Sequence, residues 1–278
     1  MRVALVYERM REEEVQLMRA VERLGHELSL IHLNSDNHFL IGERTLRGDV
    51  ALIRAISQTN ALLSSELMSH MGLRCVNPPE VLRVCGNKLA TSMKLSESGI
   101  PTPRTAVAFS LEGALRAARS IGFPVVVKPV NGSWGRLVSL ARDEEELRAI
   151  IEHREAMGSP HYRIHYVQEY IRKPGRDIRA YGNEERFLTA IYRISDHWIT
   201  NTARGGRAEP VEANSELEEI VVRTCRALGG GFLGVDIVED EERGFLVIEA
   251  NATTEFKNAA RVTGVDIAGE IVRYALGI

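Results

Sequence analysis

Gly234-Val235-Asp236-Ile237 and Phe245-Leu246-Val247-Ile248-Glu249-Ala250-Asn251 read as two short apolar strands joined by the polar turn Glu239-Asp240-Glu241-Glu242-Arg243-Gly244. Residues 249 and 251 are two apart on a strand, so their side chains leave one face, and an antiparallel partner brings Asp236 opposite them. Three oxygen donors then converge, which suits Mg²⁺, a hard cation that keeps phosphate oxygens and waters in its remaining positions. A surface hairpin with solvated acids has the same local sequence. The rest of the chain has to separate the two.

Working outward, the preceding segment holds a helix over 215–228 and, before it, strands 176–182 and 186–194 with a loop over 195–210. Arg176, Asp177 and Arg179 alternate along the first of these strands, and Arg193 ends the second. Guanidinium groups match carboxylates and phosphates bidentately, so several converging arginines point to an anionic substrate, and each taken singly fits a solvated surface charge equally. Gln168-Glu169-Tyr170-Ile171 ends a strand just ahead of Lys173-Pro174-Gly175. It reads either as a plain connection or as a linker offering backbone groups to an adenine edge.

Further upstream, strand 124–128 closes on Lys128 and is followed by Pro129-Val130-Asn131-Gly132-Ser133-Trp134-Gly135-Arg136. Two glycines let backbone N–H groups approach an anion, and a lysine at the strand end can meet a phosphate; the competing reading is a hairpin turn with a lysine whose stem is buried. No Walker-type G-x-x-x-x-G-K-[ST] run occurs. The first 76 residues alternate strand (2–7, 28–33, 50–54, 74–76) and helix (about 12–24, 61–71), a βαβ pattern that predicts a doubly wound unit ending near Pro78 and Pro79. Tyr7-Glu8-Arg9-Met10 stands where a dinucleotide fingerprint would be, which argues against a dehydrogenase.

Composition sets the bounds. A chain of 278 residues with 44% hydrophobic and 26% charged residues is an ordinary globular protein that can bury a sizeable core. No apolar run approaches a membrane span and no cleavage region follows residues 1–7, so a cytoplasmic protein with no membrane partner is expected. Cys75, Cys85 and Cys225 show no metal or disulfide spacing. A net charge of −3 argues against a nucleic-acid partner, although Arg172, Lys173, Arg176 and Arg179 can form a local anion-binding surface.

The order of these motifs is more specific than any one of them. Lys88, Val-Val-Lys128-Pro, the glycine loop, Gln168 to Ile171, Gly175-Arg176-Asp177-Ile178-Arg179, Arg193, Asn201, Asp236 and Glu249-x-Asn251 succeed one another as in the ATP-grasp carboxylate–amine ligases, which the chain resembles over essentially its whole length. It is most similar to the RimK-related branch and, within it, to the LysX-type ligases of carrier-protein lysine and arginine biosynthesis. Gly132 to Arg136, Ser195 to Gly206 and Asn251-Ala252-Thr253-Thr254-Glu255-Phe256-Lys257-Asn258 carry the closer likeness.

That resemblance implies an α/β (α+β) ATP-grasp fold: a doubly wound preATP-grasp domain (1–85), a small central α+β domain (86–170) and a C-terminal α+β domain (171–278). It implies that Lys88 and Lys128 hold the ATP phosphates and that Glu169, Tyr170 and Ile171 contact adenine and ribose. Gln168, Asp177, Gly132, Ser133, Trp134 and Gly135 complete the nucleotide site. Asp236, Glu249 and Asn251 would bind two Mg²⁺ ions, with Mn²⁺ as an alternative, while Arg193 and Asn201 face the transferred phosphate and the acyl group. Substrate contacts would come from Arg179, Arg193, Asn201, Thr202, Thr253, Glu255, Phe256, Lys257 and Asn258.

The implied reaction phosphorylates a carboxylate and lets an amine displace phosphate, releasing ADP. In LysX-type ligases the carboxylate belongs to the C-terminal glutamate of the acidic carrier protein LysW and the amine to α-aminoadipate or glutamate. Exposed Arg176, Arg179 and Arg204 would receive the acidic carrier, the Gly132–Gly135 loop would act as a lid, and a dimer or tetramer is expected. Ala252 and Thr254 stand where bulkier residues are expected for α-aminoadipate, so dual specificity stays open. So do another RimK-like glutamate ligase, acting on a ribosomal protein or a small acid, and a non-catalytic nucleotide-binding regulator.

Overall fold

The computed structural model describes the chain apart from residues 36–37, 43–45, 47, 133–134, 196, 199 and 201–205, and three sheets succeed one another in it. The first is built from β1 (Arg2–Tyr7), α1 (Glu12–Arg23), β2 (Glu27–His32), β3 (Val50–Arg54), α2 (Gln58–His70) and β4 (Arg74–Val76). Its order is β2-β1-β3-β4, all parallel. The unbroken apolar runs of β1 and β3 are explained by burial on both faces. Val3, Leu5, Val50 and Leu52 meet Leu17 and Val21 of α1, while Ala4, Val6, Ala51 and Ile53 meet Ala61 and Met68 of α2.

Pro78, in extended backbone, follows the last strand of this sheet. Pro79 opens α3 (Pro79–Cys85), where its fixed φ and missing N–H are suited to the first helical turn. α4 (Lys88–Glu97) follows at once, capped by the Asn87 side chain accepting from Ala90 N–H.

The second sheet comprises β5 (Thr105–Ala108), β6 (Val125–Lys128), β7 (Ser139–Ala141) and β8 (His165–Glu169), ordered β5-β8-β6-β7 and antiparallel. α5 (Leu111–Ile121) and α6 (Glu144–Ala156) cover it, capped by Ser110 and Asp143. Val125, Val127 and Val167 bury against Leu115, Leu147 and Ile151.

The third sheet has β9 (Arg176–Gly182), β10 (Phe187–Ile194), β11 (Arg207–Pro210), β12 (Leu233–Asp240) and β13 (Gly244–Asn251), ordered β11-β10-β9-β12-β13. β11 lies inside the segment expected to be loop; its partly exposed Arg-Ala-Glu-Pro sequence carries little strand signal, and pairing to β10 supplies the order. α7 (Ser215–Ala227) packs Leu217, Val221 and Cys225 under β9 and β12.

Two helices the sequence reading left unassigned follow, α8 (Lys257–Thr263) and α9 (Ile267–Leu276). Ile271, Val272 and Ala275 of α9 join the core of Val3, Leu5 and Leu17, so the end of the chain covers one face of the first sheet. Each fully buried Ile or Val contributes roughly 1.5–3 kcal/mol. Among the described residues no helix is long and apolar enough to cross a membrane.

Asn77 ties the first and third units together. It is 2% exposed, donates to the Phe232 and Ala252 carbonyls at 2.8 and 2.6 Å, and accepts from Phe232 N–H at 2.8 Å. Asn77→Ala removes these partners at once, and a buried unsatisfied polar group costs about 1–3 kcal/mol. A loss of about 2–3 kcal/mol in urea unfolding is expected, and a loss below about 1 kcal/mol would contradict the assigned role.

Candidate active site

The hairpin of β12 and β13 places Asp236 directly opposite Glu249 and Gly234 opposite Asn251, with a bulge after Asp236. On its other side Asp236 stands opposite Arg179 of β9, and Arg193 of β10 stands opposite Asp177. Because 177 and 179 are two apart, as are 249 and 251, one face of four adjacent strands collects six functional side chains. Gly234 allows the close approach there: a Cβ on it would meet Thr254 Oγ1 at 2.2 Å.

These groups are linked. Arg179 grips Asp236 with a two-pronged contact, Nη2 lying 2.9 Å from Oδ2 and Nε also donating to Oδ1. Arg193 donates from Nε to Asp177 Oδ1 at 2.7 Å and approaches Asp236 Oδ1 at 3.2 Å. Burial alone would raise the Asp236 carboxyl, but the charges and hydrogen bonds of Arg179 and Arg193 outweigh it and hold it at about 2.

Lys173 joins the same network. Its Nζ donates to Thr200 Oγ1 at 2.6 Å and lies 3.4 Å from Asp177 Oδ2, which also accepts from the Thr200 hydroxyl. Burial pushes the Lys173 ammonium down, with Asp177 opposing. Sequence reading placed Lys173 only in a surface cluster; its position at the end of the linker was the available signal.

Two further lysines face this wall. Lys128, at the end of β6, donates to Gln168 Oε1 at 2.6 Å, and burial, reinforced by the charges of Lys88 and Lys173 against that of Glu249, brings it down to about 8. Lys88, the first residue of α4, donates to the Gly132 carbonyl at 2.7 Å and lies 3.5 Å from Glu249 Oε2. It thereby connects the glycine loop to the hairpin.

The cleft between these walls has a volume of about 250 Å³. One end is apolar, lined by Val126, Val138, Ile171, Val238 and Ile248 beside Tyr170 and Trp198, whose rings meet edge to face at 6.2 Å. Trp198 was quoted in the sequence only as part of a motif; the aromatic contact appears in the fold. At the other end lie Thr253, Glu255, Lys257 and Asn258.

Gln168 lines the cleft, is 2% exposed and also donates to Thr105 Oγ1 and the Tyr166 hydroxyl, so its side chain positions Lys128. Glu169 lines the rim with its carboxylate held by Arg243, at 3.0 Å from each oxygen, and by the Arg104 N–H. Gly132, Gly135, Asp177, Arg179 and Arg193 line the cleft.

Two expectations change. Phe256 is 1% exposed in the core with Ile271 and Phe232 and under the Arg54 guanidinium, so it anchors its segment and does not line the cleft. Arg179 is buried against Asp236 and unavailable to a docking protein, while Arg176 is paired with Glu239 and stacked 3.9 Å from the Tyr192 ring centroid. Ser133, Trp134, Asn201, Thr202 and Arg204 lie outside the described residues.

The donor set fits a hard cation. Asp236 and Glu249 offer carboxylate oxygens and Asn251 an amide oxygen, while the Asn251 Nδ2 donor is buried with no hydrogen-bond partner among the described residues. Among the described residues no group of three or more His, Cys, Asp or Glu could hold a metal ion, so a site here would draw on the Asn251 amide oxygen beside the two carboxylates.

Comparison with known proteins identifies the family. Residues 3–84 match the LysX preATP-grasp domain and residues 85–275 the RimK-like ATP-grasp domain. The α-aminoadipate–LysW ligase LysX of Sulfurisphaera tokodaii is 36% identical, with 98% of this chain and 96% of that protein covered. The glutamate–LysW ligase ArgX of the same organism is 38% identical, with 99% and 98% covered. A RimK domain ATP-grasp protein from Sphaerobacter thermophilus superposes with a TM-score of 0.80 at 27% identity over the whole of both chains. The chain belongs to the RimK-like ATP-grasp ligases of the LysX/ArgX type, enzymes that join an acid to an amino acid at the expense of ATP.

Proposed function

We propose that the enzyme joins the α-amino group of α-aminoadipate, and of glutamate as a second substrate, to the C-terminal glutamate γ-carboxylate of a LysW-type carrier protein, in lysine and arginine biosynthesis. The observation that carries this reading is the meeting of Asp236, Glu249, Asn251, Arg179 and Arg193 on one sheet face with Lys88 and Lys128 across a single cleft. Relatives acting on α-aminoadipate and on glutamate match at 36% and 38% identity, which leaves both amino acids in the proposal.

The apolar end, between Val126, Ile171, Val238 and Ile248, accepts adenine, and the linker at Glu169 to Ile171 offers its backbone to the base edge. Lys88 and Lys128 receive the phosphates as point charges. Asp236, Glu249 and Asn251 would hold Mg²⁺, which supplies Lewis-acid stabilisation of phosphate charge when bound. Phosphoryl transfer to the carrier carboxylate concentrates negative charge beside Arg193, whose guanidinium is fixed in advance by Asp177 and Asp236.

A carboxylate is a poor acyl donor, and its acyl phosphate, a mixed anhydride, is a good one, provided water is kept out. The hydrogen-bonded wall of Asp177, Thr200 and Lys173 holds its polar groups in place along the cleft. The amine then attacks the acyl carbon, the carbon–nitrogen bond forms, and the carbon–oxygen bond to phosphate breaks. Coupled measurement of ADP release with purified carrier should give turnover with α-aminoadipate and with glutamate and little without an amino acid. ADP release indifferent to the carrier would contradict the reading.

A further inference from the structure

We propose that Arg11, a residue of the first domain, receives a carboxylate of the incoming amino acid by exchange with Glu255 and thereby sets the substrate length the cleft accepts. The inference rests on the reading of the site as a dicarboxylic amino-acid ligase. Arg11 lines the cleft although it precedes α1, and three of its contacts are made to one carboxylate. Its backbone N–H and Nε donate to Glu14 Oε2 at 2.9 and 3.0 Å, and Nη2 donates to Oε1 at 2.8 Å. Glu14 has no exposed surface and also accepts from Arg54 Nε at 3.0 Å, so one edge of the Arg11 fork is fixed. The remaining nitrogen, Nη1, faces Glu255 Oε1 at 3.2 Å.

That last contact is the exchangeable one. The Glu255 side chain is 44% exposed, unlike the buried Glu14, and an exposed ion pair is weak beside a charge-assisted bond in a closed site. The backbone around it cannot move so easily. Arg54 Nη1 donates to the Thr254 carbonyl at 3.0 Å, the Tyr181 hydroxyl to the Glu255 carbonyl at 2.8 Å, and Lys257 N–H to Glu13 at 3.3 Å. Glu255 can therefore swing aside on a fixed backbone, leaving Arg11 Nη1 for a substrate carboxylate.

The distance to the chemistry is also fixed. Thr254 Oγ1 accepts from Arg179 Nη1 at 3.4 Å, and Arg179 clamps Asp236, so a continuous set of contacts runs from the Asp236 end of the cleft to Arg11. An amino acid with its amine at the reacting end and its side-chain carboxylate at Arg11 is measured against that span. Glutamate and α-aminoadipate differ by one methylene, a difference that a fixed guanidinium reads and a mobile side chain does not.

Arg11→Met and Arg11→Lys test this in the full-length enzyme by two readouts. One is calorimetric binding of α-aminoadipate, glutamate and the monocarboxylic analogue norleucine with a non-hydrolysable ATP analogue and Mg²⁺, without carrier. The other is KM for each amino acid and for ATP in carrier-dependent turnover. Arg11→Met is expected to weaken both dicarboxylic amino acids at least tenfold, to reduce their preference over norleucine, and to leave KM for ATP within about twofold; Arg11→Lys should recover part of the affinity. Because Arg11→Lys keeps the charge beside Glu14, it carries the test if the methionine variant does not fold. Unchanged dicarboxylate binding, or an equal rise in KM for ATP and amino acid, would overturn the proposal. Dicarboxylate binding that depends on Arg11 without carrier-dependent turnover would support Arg11 while refuting the carrier reading, and wild-type enzyme that binds neither dicarboxylate would refute both.

Discussion

Asp236→Asn is expected to reduce ADP release at least about 100-fold and to lower stability by about 3 kcal/mol. Asn keeps the shape of the side chain but not its charge, and of the two guanidinium groups that depend on it Arg193 is buried and Arg179 is 14% exposed. Removing one partner of a buried ion pair leaves the other charges uncompensated, which is why the stability cost accompanies the catalytic one. The pH dependence of the wild type has a definite sign. The Asp236 carboxyl is held at about 2, below its ordinary 3.8, so its contribution is fully present above about pH 4 and is lost as pH falls through 2. Urea unfolding at pH 7 and pH 3 together with ADP release checks both parts; activity within tenfold of wild type would contradict the placement of Asp236 at the reacting centre.

Lys128→Met should raise KM for ATP by about 10²-fold, because the lysine ends β6 at the cleft and would meet the phosphates through a desolvated ammonium. The effect on stability runs the other way from Asp236. Burial brings Lys128 down to about 8 from 10.5, so the unfolded chain binds more protons between those values and wild-type stability rises with pH across that window. The methionine variant lacks this rise. Bound phosphate restores the charged form, so ATP binding at pH 8.5 takes up a proton in the wild type and not in the variant. Calorimetry in buffers of different ionisation enthalpy measures that proton, and equal uptake by both proteins would refute the role.

The hairpin was legible in the sequence for a local reason, as was Lys128 at a strand end before the glycine loop, whereas Lys88 came only from the order of motifs. Glu249 and Asn251 two residues apart on an apolar strand fix a shared face, and the acidic turn at 239–243 fixes the antiparallel return. What was not legible depends on strand order. Arg179 meets Asp236 only because β9 lies between β10 and β12, an adjacency across 57 residues that no local pattern encodes; read locally, Arg179 looked like a surface charge for a docking partner.

Phe256 shows the same limit from the other side. It sits in a motif otherwise exposed to the cleft, and only the packing of α8 and α9 on the first sheet turns it into the core. Lys173 was read only within an anion-binding surface cluster, and Arg11 drew no reading, because Thr200 and Glu255, which they meet, lie far along the chain. The glycine loop was legible by composition, and Gly132 does meet Lys88.

The most direct measurement follows oxygen. With the carrier's C-terminal glutamate carboxylate labelled with heavy oxygen, phosphorylation of that carboxylate before attack by the amine requires one labelled atom to leave in inorganic phosphate for each peptide-like bond formed. Transfer of label to phosphate in step with ligation is the predicted result, and ligation that leaves the released phosphate unlabelled would contradict an acyl phosphate formed in this cleft.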